Sequence, residues 1–291
     1  MSLKKLDPIV VGYDGSGGSR AALRWATAQA VGQLSPLRIV EVSEPIPIGY
    51  PSADSVSATE VRHLQERGLD ALTDSIRLQH PELSVVSVLV DGSAASSLID
   101  ESIHARLSVL GTRGHGGWTD VLLGSVANQV SMHSAGTVVV VPAASRPRLQ
   151  DRPTIVVGVD GSKTSAKAID FAFAQAEARR ARVVVVNVTP HPAPTFTGGL
   201  GLLVFDPVDI ANEDRLLVSE SLAGTETDYP DVEFDVRLMS GHPAQALVLA
   251  AEDAELLVVG SRGRDGFASL LLGSVSLSVL HHAKCPVAIV R

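Results

Sequence analysis

A glycine-rich pattern that could hold phosphate groups occurs twice in the 291-residue sequence. Its form is Gly-x2-Gly-x9-Gly-Ser, and each copy follows an apolar run typical of a buried strand. A glycine-rich turn between a parallel strand and a helix brings backbone N–H groups close to phosphate oxygens, and the helix N-terminus adds partial positive charge. The copies are Gly111, Gly114, Gly124 and Ser125, and then Gly260, Gly263, Gly273 and Ser274.

The repeat extends beyond the glycines and predicts two domains. Residues 9–16 and residues 155–162 both read Ile-Val-Val-Gly-x-Asp-Gly-Ser. A chain of this length has room for two domains of about 145 residues each. We expect one domain over residues 1–145 and a second over residues 152–291, with a polar, proline-containing linker near 142–153.

Each half alternates strands and helices in the order β-α-β-α-β-α-β-α-β. Most of the predicted strands are continuous Val/Ile/Leu runs, as in strands that are covered on both faces. Alternating strands and helices imply right-handed crossovers and a parallel sheet, so the fold class is α/β with two tandem doubly wound domains. The predicted strands lie near residues 8–13, 37–42, 84–90, 106–111 and 137–142, then 154–159, 182–188, 232–238, 255–260 and 286–290.

Apolar residues recur at helical spacing between these strands. One such series is Val61, Leu64, Gly68 and Leu72; another is Ala166, Ile169, Phe173 and Ala176. Two long irregular stretches, 43–57 and 190–207, separate the second strand of each half from the helix that follows. Such stretches are either lids or binding loops, or plain surface excursions.

The first and fourth strands of each half end at residues suited to a ligand. The first strand leads into Asp14, and the fourth ends at Gly111. Ligands of doubly wound sheets bind at the carboxyl ends of strands where the winding direction reverses. If these strands are neighbours, Asp14 faces the glycine loop, and Asp160 does so in the second half. Such an aspartate suits a ribose hydroxyl or a metal-bound water, and Arg113 and Arg262 suit phosphate oxygens.

Each feature also has a simpler structural interpretation. The Gly-Ser pairs fit ordinary helix N-caps, the Asp-Gly pairs fit turns, and the loop arginines fit solvated surface residues. The loop and the helix terminus together, repeated in both halves, favour nucleotide binding.

Composition and missing motifs exclude several other function classes. The formal net charge is -8 and aromatic residues make up 4%, which disfavours a nucleic-acid surface. Neither loop contains a Walker A motif, and no apolar stretch reaches the roughly 18 residues of a membrane span. His281, His282 and Cys285 are too few for a persuasive metal site. The single cysteine and the lack of a signal-peptide pattern lead us to expect a cytoplasmic protein.

The chain resembles a tandem universal stress protein of the ATP-binding branch. The resemblance is carried by the Val-Gly-x-Asp-Gly-Ser starts, the two glycine loops and the closing Lys-Cys-Pro-Val-Ala-Ile-Val at residues 284–290. It implies a five-stranded parallel sheet in order 3-2-1-4-5 with flanking helices in each domain, and one ATP or other adenine nucleotide per domain with or without Mg²⁺. It also implies that domains pair through the fifth strands at 137–141 and 286–290, which the two halves of one chain can do with each other, and that the chain forms a homodimer. No membrane, nucleic-acid or particular protein partner is implied.

The same resemblance implies the residues around the nucleotide. The base would lie near the backbone of Val42 and Val188, and the ribose near Asp14 and Asp160. The first site comprises Gly12, Asp14, Val42, Gly111, Thr112, Arg113, Gly114, His115, Gly116, Gly117, Gly124, Ser125 and Val126. The second comprises Gly158, Asp160, Val188, Gly260, Ser261, Arg262, Gly263, Arg264, Asp265, Gly266, Gly273, Ser274 and Val275. Family members often carry His just before the strand-two valine, where this chain has Glu41 and Asn187.

Three functions fit these features. The first is a nucleotide-binding regulator in which ATP occupancy sets conformation or partner choice under stress. The second is a slow Mg²⁺-dependent ATPase or nucleotidyl transferase that uses Asp14 and Asp160. The third is a chaperone-like or assembly protein whose glycine loops are structural. No catalytic base or nucleophile is evident, so we expect weak ATP hydrolysis at most.

Overall fold

A computed structural model of the protein describes residues 7–44, 58–114, 123–144, 152–189, 207–264 and 271–291. The chain divides into two compact units, Met1–Ser145 and Arg146–Arg291. The strands of the first unit are β1 (Ile9–Gly12), β2 (Leu37–Ser43), β3 (Val85–Asp91), β4 (Leu107–Gly111) and β5 (Val138–Val141). Its helices are α1 (Gly17–Gly32), α2 (Ala58–Gln79), α3 (Ala94–Glu101) and α4 (Ser125–His133), with a 3₁₀ turn at Ser102–His104.

The second unit repeats this order with one additional short helix. Its strands are β6 (Thr154–Val159), β7 (Arg182–Thr189), β8 (Phe234–Ser240), β9 (Leu256–Gly260) and β10 (Val287–Val290). Its helices are α5 (Lys163–Arg179), α6 (Pro207–Ser221), α7 (Thr225–Asp228), α8 (Pro243–Ala250) and α9 (Ser274–His282). Most of the predicted linker 142–153 and of the stretches 43–57 and 190–207 lies outside the described residues.

Each unit contains a parallel sheet in the predicted order. The strands of the first unit follow one another as β3-β2-β1-β4-β5, and those of the second as β8-β7-β6-β9-β10. In the first unit Ile9 pairs with Leu37 on one side and with Leu107 on the other. The α/β doubly wound fold and the 3-2-1-4-5 order are therefore confirmed, and β1 and β4 are direct neighbours.

The central strands are buried on both faces, as their continuous apolar sequences predict. Val10 and Val11 are at most 1% exposed. Small residues on α1, among them Ala22 and Ala26, are fully buried and allow the helix backbone to lie close to the sheet. This close approach fixes where the first turn of α1 meets the end of β4.

The apolar series on α2 does not form its buried face. Leu64 is 56% exposed, whereas Leu69 and Thr73 are buried at 4% and 2%. The buried residues follow those of the predicted series by one position, so the buried face of the helix is rotated by about 100° from the predicted face. Leu69 and Ile76 form the apolar part of the buried face. Between them the Thr73 hydroxyl donates to the Leu69 carbonyl and lies 2.8 Å from the Ser87 hydroxyl of β3.

The series on α5 is buried except at its first residue, Ala166, which is exposed. Phe173 is fully buried, and its ring centroid lies 5.9 Å from that of Tyr229 and 5.6 Å from that of Phe234. The Tyr229 hydroxyl donates to Asp170 at 2.8 Å. Burial, together with this bond, raises the pKa of Tyr229 to about 12. Within the described parts of the chain, no helix combines the length and the apolar character needed to cross a membrane.

Candidate functional site

The turn after the first strand of each unit is built around its aspartate. Asp14 Oδ1 accepts a hydrogen bond from the backbone N–H of Ser16 at 2.9 Å, and Asp160 Oδ1 accepts one from Ser162 at 3.0 Å. The glycine between the aspartate and the serine has a left-handed backbone conformation, with φ of 79° at Gly15 and 77° at Gly161. Glycine adopts this conformation without strain. Each Asp-Gly pair therefore does form a turn, and one oxygen of each carboxylate, Oδ1, is engaged in that turn.

The second carboxylate oxygen faces the glycine loop. A Cβ added to Gly114 would lie 2.4 Å from Asp14 Oδ2, and one added to Gly263 would lie 2.7 Å from Asp160 Oδ2. In the second unit, the Arg264 backbone N–H also donates to Asp160 Oδ2 at 3.0 Å. In the second unit, the loop is thus joined to the aspartate by a backbone hydrogen bond.

The glycine at the end of the fourth strand makes room for the first helix. A Cβ on Gly111 would lie 2.4 Å from the carbonyl carbon of Gly18 in α1. A Cβ on Gly260 would lie 2.8 Å from Thr164 Oγ1 in α5. Because the first helix and the loop meet this tightly, the two glycines hold both parts of the site in register.

Hydroxyl groups at the start of each first helix secure this junction. Ser16 Oγ donates to the Arg113 carbonyl at 3.2 Å, and the hydroxyls of Ser162 and Thr164 donate to the Arg262 carbonyl. The predicted arginines therefore anchor the loop through their backbones. The side chain of Arg262 is exposed.

One hydrogen bond closes each glycine loop at its base. The Gly124 N–H donates to the Thr112 carbonyl at 2.7 Å, and the Gly273 N–H donates to the Ser261 carbonyl at 2.8 Å. Ser261 is 1% exposed, and its own N–H donates to Val290 at the end of β10. Thr112 and Ser261 are thus structural residues of the loop base.

The helix that follows each loop has a glycine at its N-cap position, and this residue has no side chain that could accept from the first N–H groups. The N-cap residues are Gly124 for α4 and Gly273 for α9, and neither cap has a side-chain hydrogen bond. Ser125 and Ser274 are the first helical residues, and both are exposed. The Gly-Ser pairs therefore do lie at helix N-termini, with the glycine as the N-cap residue. The positive end of the helix dipole at these positions favours an anion.

A cavity of about 610 Å³ in the second unit collects most of the predicted residues. Those in its wall are Gly158, Asp160, Val188, Gly260, Arg262, Gly263, Arg264, Gly273, Ser274 and Val275. Ser261 lies behind the wall, at the base of the loop. The wall also contains residues that the sequence did not indicate as ligand contacts, among them Ser165, Val186, Asn187, Thr189, Asp214 and Leu247. Asp214 is on α6 and accepts a hydrogen bond from the Thr189 hydroxyl.

The remaining predicted residues fall into three groups. His115, Gly116, Gly117, Asp265 and Gly266 lie outside the described residues. Gly12 ends β1 against Leu98 and Leu110, where an added Cβ would lie 2.7 Å from Leu110 Cδ2. Val42 lies near the end of β2, and Val126 is the second residue of α4.

The charged groups near the two sites differ. Burial raises the pKa of Glu41, a hydrogen bond from Gln65 opposes the rise, and the negative charge of Asp14 adds to it. At the end of β10, burial lowers the pKa of Arg291, and the positive charge of Arg262 lowers it further. Arg291 is therefore close enough to respond to the charge of the loop arginine. In the described part of the chain, no three His, Cys, Asp or Glu side chains cluster as metal ligands would.

The model of the universal stress protein family matches residues 5–142 and again residues 152–291. The chain belongs to the universal stress protein family. A universal stress protein from Mycolicibacterium smegmatis is 33% identical to this chain, over 97% of this chain and 96% of that protein. A universal stress protein from Mycobacterium tuberculosis is also 33% identical, over 99% of this chain and 98% of that protein. The crystal structure of a universal stress protein from Archaeoglobus fulgidus DSM 4304 shares the fold, with 20% identity, 99% coverage of both chains and a TM-score of 0.73. The tandem arrangement of two family domains predicted from the sequence is confirmed.

Proposed function

We propose that this protein binds ATP or another adenine nucleotide at one site per domain, and that occupancy sets its conformation or its choice of partner in a stress response. The observation that carries the proposal is the cavity at the carboxyl ends of β6, β7 and β9, which the N-terminus of α9 borders. Its volume falls within the roughly 300–1,000 Å³ of small-molecule sites.

The order of the strands supports a nucleotide that extends from β7, across the end of β6, to the loop after β9. In the sheet, β6 lies between β7 and β9. Val186 and Val188 of β7 give the cavity an apolar side, whereas the loop after β9 supplies backbone N–H groups and arginines. Asp160 follows β6, between these two sides. A base on the valines, a ribose at the aspartate and phosphates on the loop follow that order.

The first domain repeats the elements of this arrangement. Asp14 approaches Gly114, the loop closes at Gly124, and α4 starts without a side-chain cap, as in the second domain. We therefore propose the second nucleotide site there by structural equivalence.

A regulatory role fits the aspartate better than a catalytic one. Both oxygens of Asp160 accept hydrogen bonds from backbone N–H groups, those of Ser162 and Arg264. A carboxylate held in this way supports the fold of the loop and is poorly placed to take a proton from a substrate. Slow Mg²⁺-dependent hydrolysis or nucleotidyl transfer is the second candidate, because a ligand that displaces the Arg264 N–H would leave one oxygen facing the phosphates.

Titration calorimetry with ATP, ADP and AMP tests the proposal. We expect saturable binding, and the lack of binding by all three at millimolar concentration would refute it. For the enzymatic alternative, Mg²⁺-dependent ADP release should disappear in the Asp14→Ala, Asp160→Ala double variant and persist in Asp74→Ala, a surface change on α2. Dimerisation through the fifth strands and the cytoplasmic location stay predictions, the first of them open to light scattering.

A further inference from the structure

Asn187 has an unusual position for an amide side chain. It lies in β7 opposite Val159 of β6, is 3% exposed, and belongs to the cavity wall between Val186 and Val188. Its Nδ2 donates to the Val159 carbonyl at 2.9 Å. A carbonyl can only accept, so this bond decides which way the amide is turned and leaves Oδ1 as the other end of the group.

Asn187 Oδ1 is buried and has no hydrogen-bond partner among the described residues. An acceptor that is removed from water and left unpaired destabilises the protein, so such atoms usually meet a ligand or an ordered water. By contrast, the neighbouring polar group of the strand, the Thr189 hydroxyl, is paired with Asp214. The unpaired atom is therefore specific to Asn187 and is not a general property of the strand end.

The corresponding residue of the first domain is engaged differently. Glu41 of β2 accepts a hydrogen bond from Gln65 Nε2 of α2 at 3.3 Å. Its side chain is half-buried and ionisable, whereas that of Asn187 is neutral and buried. The two sites thus present different chemistry at the same position, which provides an internal control.

We propose that Asn187 is a specificity-determining residue that selects a base with an exocyclic amino group, whose N–H donates to Oδ1. This inference rests on the proposed nucleotide site in the second domain. The apolar contacts of Val186 and Val188 suit the faces of a planar base, and a base that carries a carbonyl oxygen in place of the amino group would face Oδ1 with a second acceptor. Selection by an amide in this way is confined to the second domain.

The test compares ATP with inosine triphosphate, which differs by having an oxygen in place of the amino group. Calorimetry is done in a Ser125→Glu background, in which we expect the first site to bind about 10- to 100-fold more weakly, so that binding at the second site is resolved. Asn187→Ala should weaken ATP binding by about tenfold, which is the loss of one good hydrogen bond, and should leave inosine triphosphate nearly unchanged. Glu41→Ala, the matched control, should leave the ratio of the two affinities as it is.

An unchanged ratio in Asn187→Ala would overturn the inference and would show that water satisfies Oδ1. If neither nucleotide binds the parent protein, the proposed function fails, and that outcome is distinct. Should Asn187→Ala unfold, Asn187→Leu keeps the volume of the side chain and is expected to lose the same preference. A comparison that needs no change at residue 187 sets the Ser125→Glu protein against the Ser274→Glu protein. Equal selectivity in these two would also overturn the inference.

Discussion

A negative charge at the first residue of α9 separates ligand binding from stability. Ser274 is exposed and follows the N-cap Gly273, so Ser274→Glu adds a carboxylate at the positive end of the helix dipole. That position stabilises a helix by roughly 0.3–1 kcal/mol. The same charge would repel a phosphate bound at the helix N-terminus. Stability and affinity should therefore change in opposite directions.

The size of the repulsion follows from Coulomb's law. At a separation of about 5 Å, two unit charges interact by about 0.8 kcal/mol in water and about 3 kcal/mol at an effective dielectric constant of about 20. Ser274 lies at the surface, so the weaker value applies to each phosphate charge. For two or three nearby charges, we expect ATP affinity to fall about 10- to 100-fold.

Ser274→Gln is the matched control, because it has nearly the same shape and no charge. Calorimetry measures the affinity of the second site, and a thermal melt measures stability. We expect Ser274→Glu to melt at or above the temperature of Ser274→Gln while binding ATP far more weakly. Equal affinity in the two variants would refute phosphate binding at this helix, and a lower melting temperature with Glu would refute the assignment of Ser274 to the helix N-terminus.

Three further predictions concern stability. Gly111→Ala should destabilise the protein by about 1–3 kcal/mol, because the added Cβ has no room beside α1. The control Gly68→Ala, where nothing lies within 4 Å of the added Cβ, should stabilise α2 by about 0.5–1 kcal/mol. Equal midpoints of urea unfolding for the two variants would contradict this prediction. Because the pKa of Glu41 is raised in the folded protein, ionisation of this side chain destabilises the fold, and the loss of stability grows as the pH rises above the ordinary glutamate pKa of about 4.3. Glu41→Gln should therefore have a higher melting temperature than the wild type at pH 8 and the same melting temperature at pH 4. A difference that does not depend on pH would count against this prediction. Tyr229→Phe should cost about 1 kcal/mol through loss of the bond to Asp170, and ultraviolet titration should place ionisation of Tyr229 at about 12 rather than near 10.

The sheet could be predicted because its strands carry their own signal. The runs at Ile9–Gly12 and Val138–Val141 are apolar without alternation, as strands covered on both faces must be. The position of the first glycine loop, between β4 and α4, also followed from the sequence, and the bond between the Gly124 N–H and the Thr112 carbonyl closes the loop at its base. These features depend on local sequence, so a single sequence was sufficient to predict them.

The cavity wall depends on packing that local sequence does not determine. Asp214 reaches the site only because α6 lies over the end of β7, and Leu247 reaches it because α8 crosses back over β6. The apolar series on α2 did not give the buried face, because Leu69, Thr73 and Ile76 lie on the sheet side of the helix instead. The close approach of α1 to Gly111 likewise depends on tertiary packing.

The number of nucleotides bound to each chain is the most direct test of one site per domain. Native mass spectrometry of the wild-type protein with excess ATP would count them. Two ATP molecules per chain are predicted, and in either Ser125→Glu or Ser274→Glu one of the two should need an ATP concentration about 10- to 100-fold higher to bind. A single ATP per chain in the wild type, or none, would contradict the account.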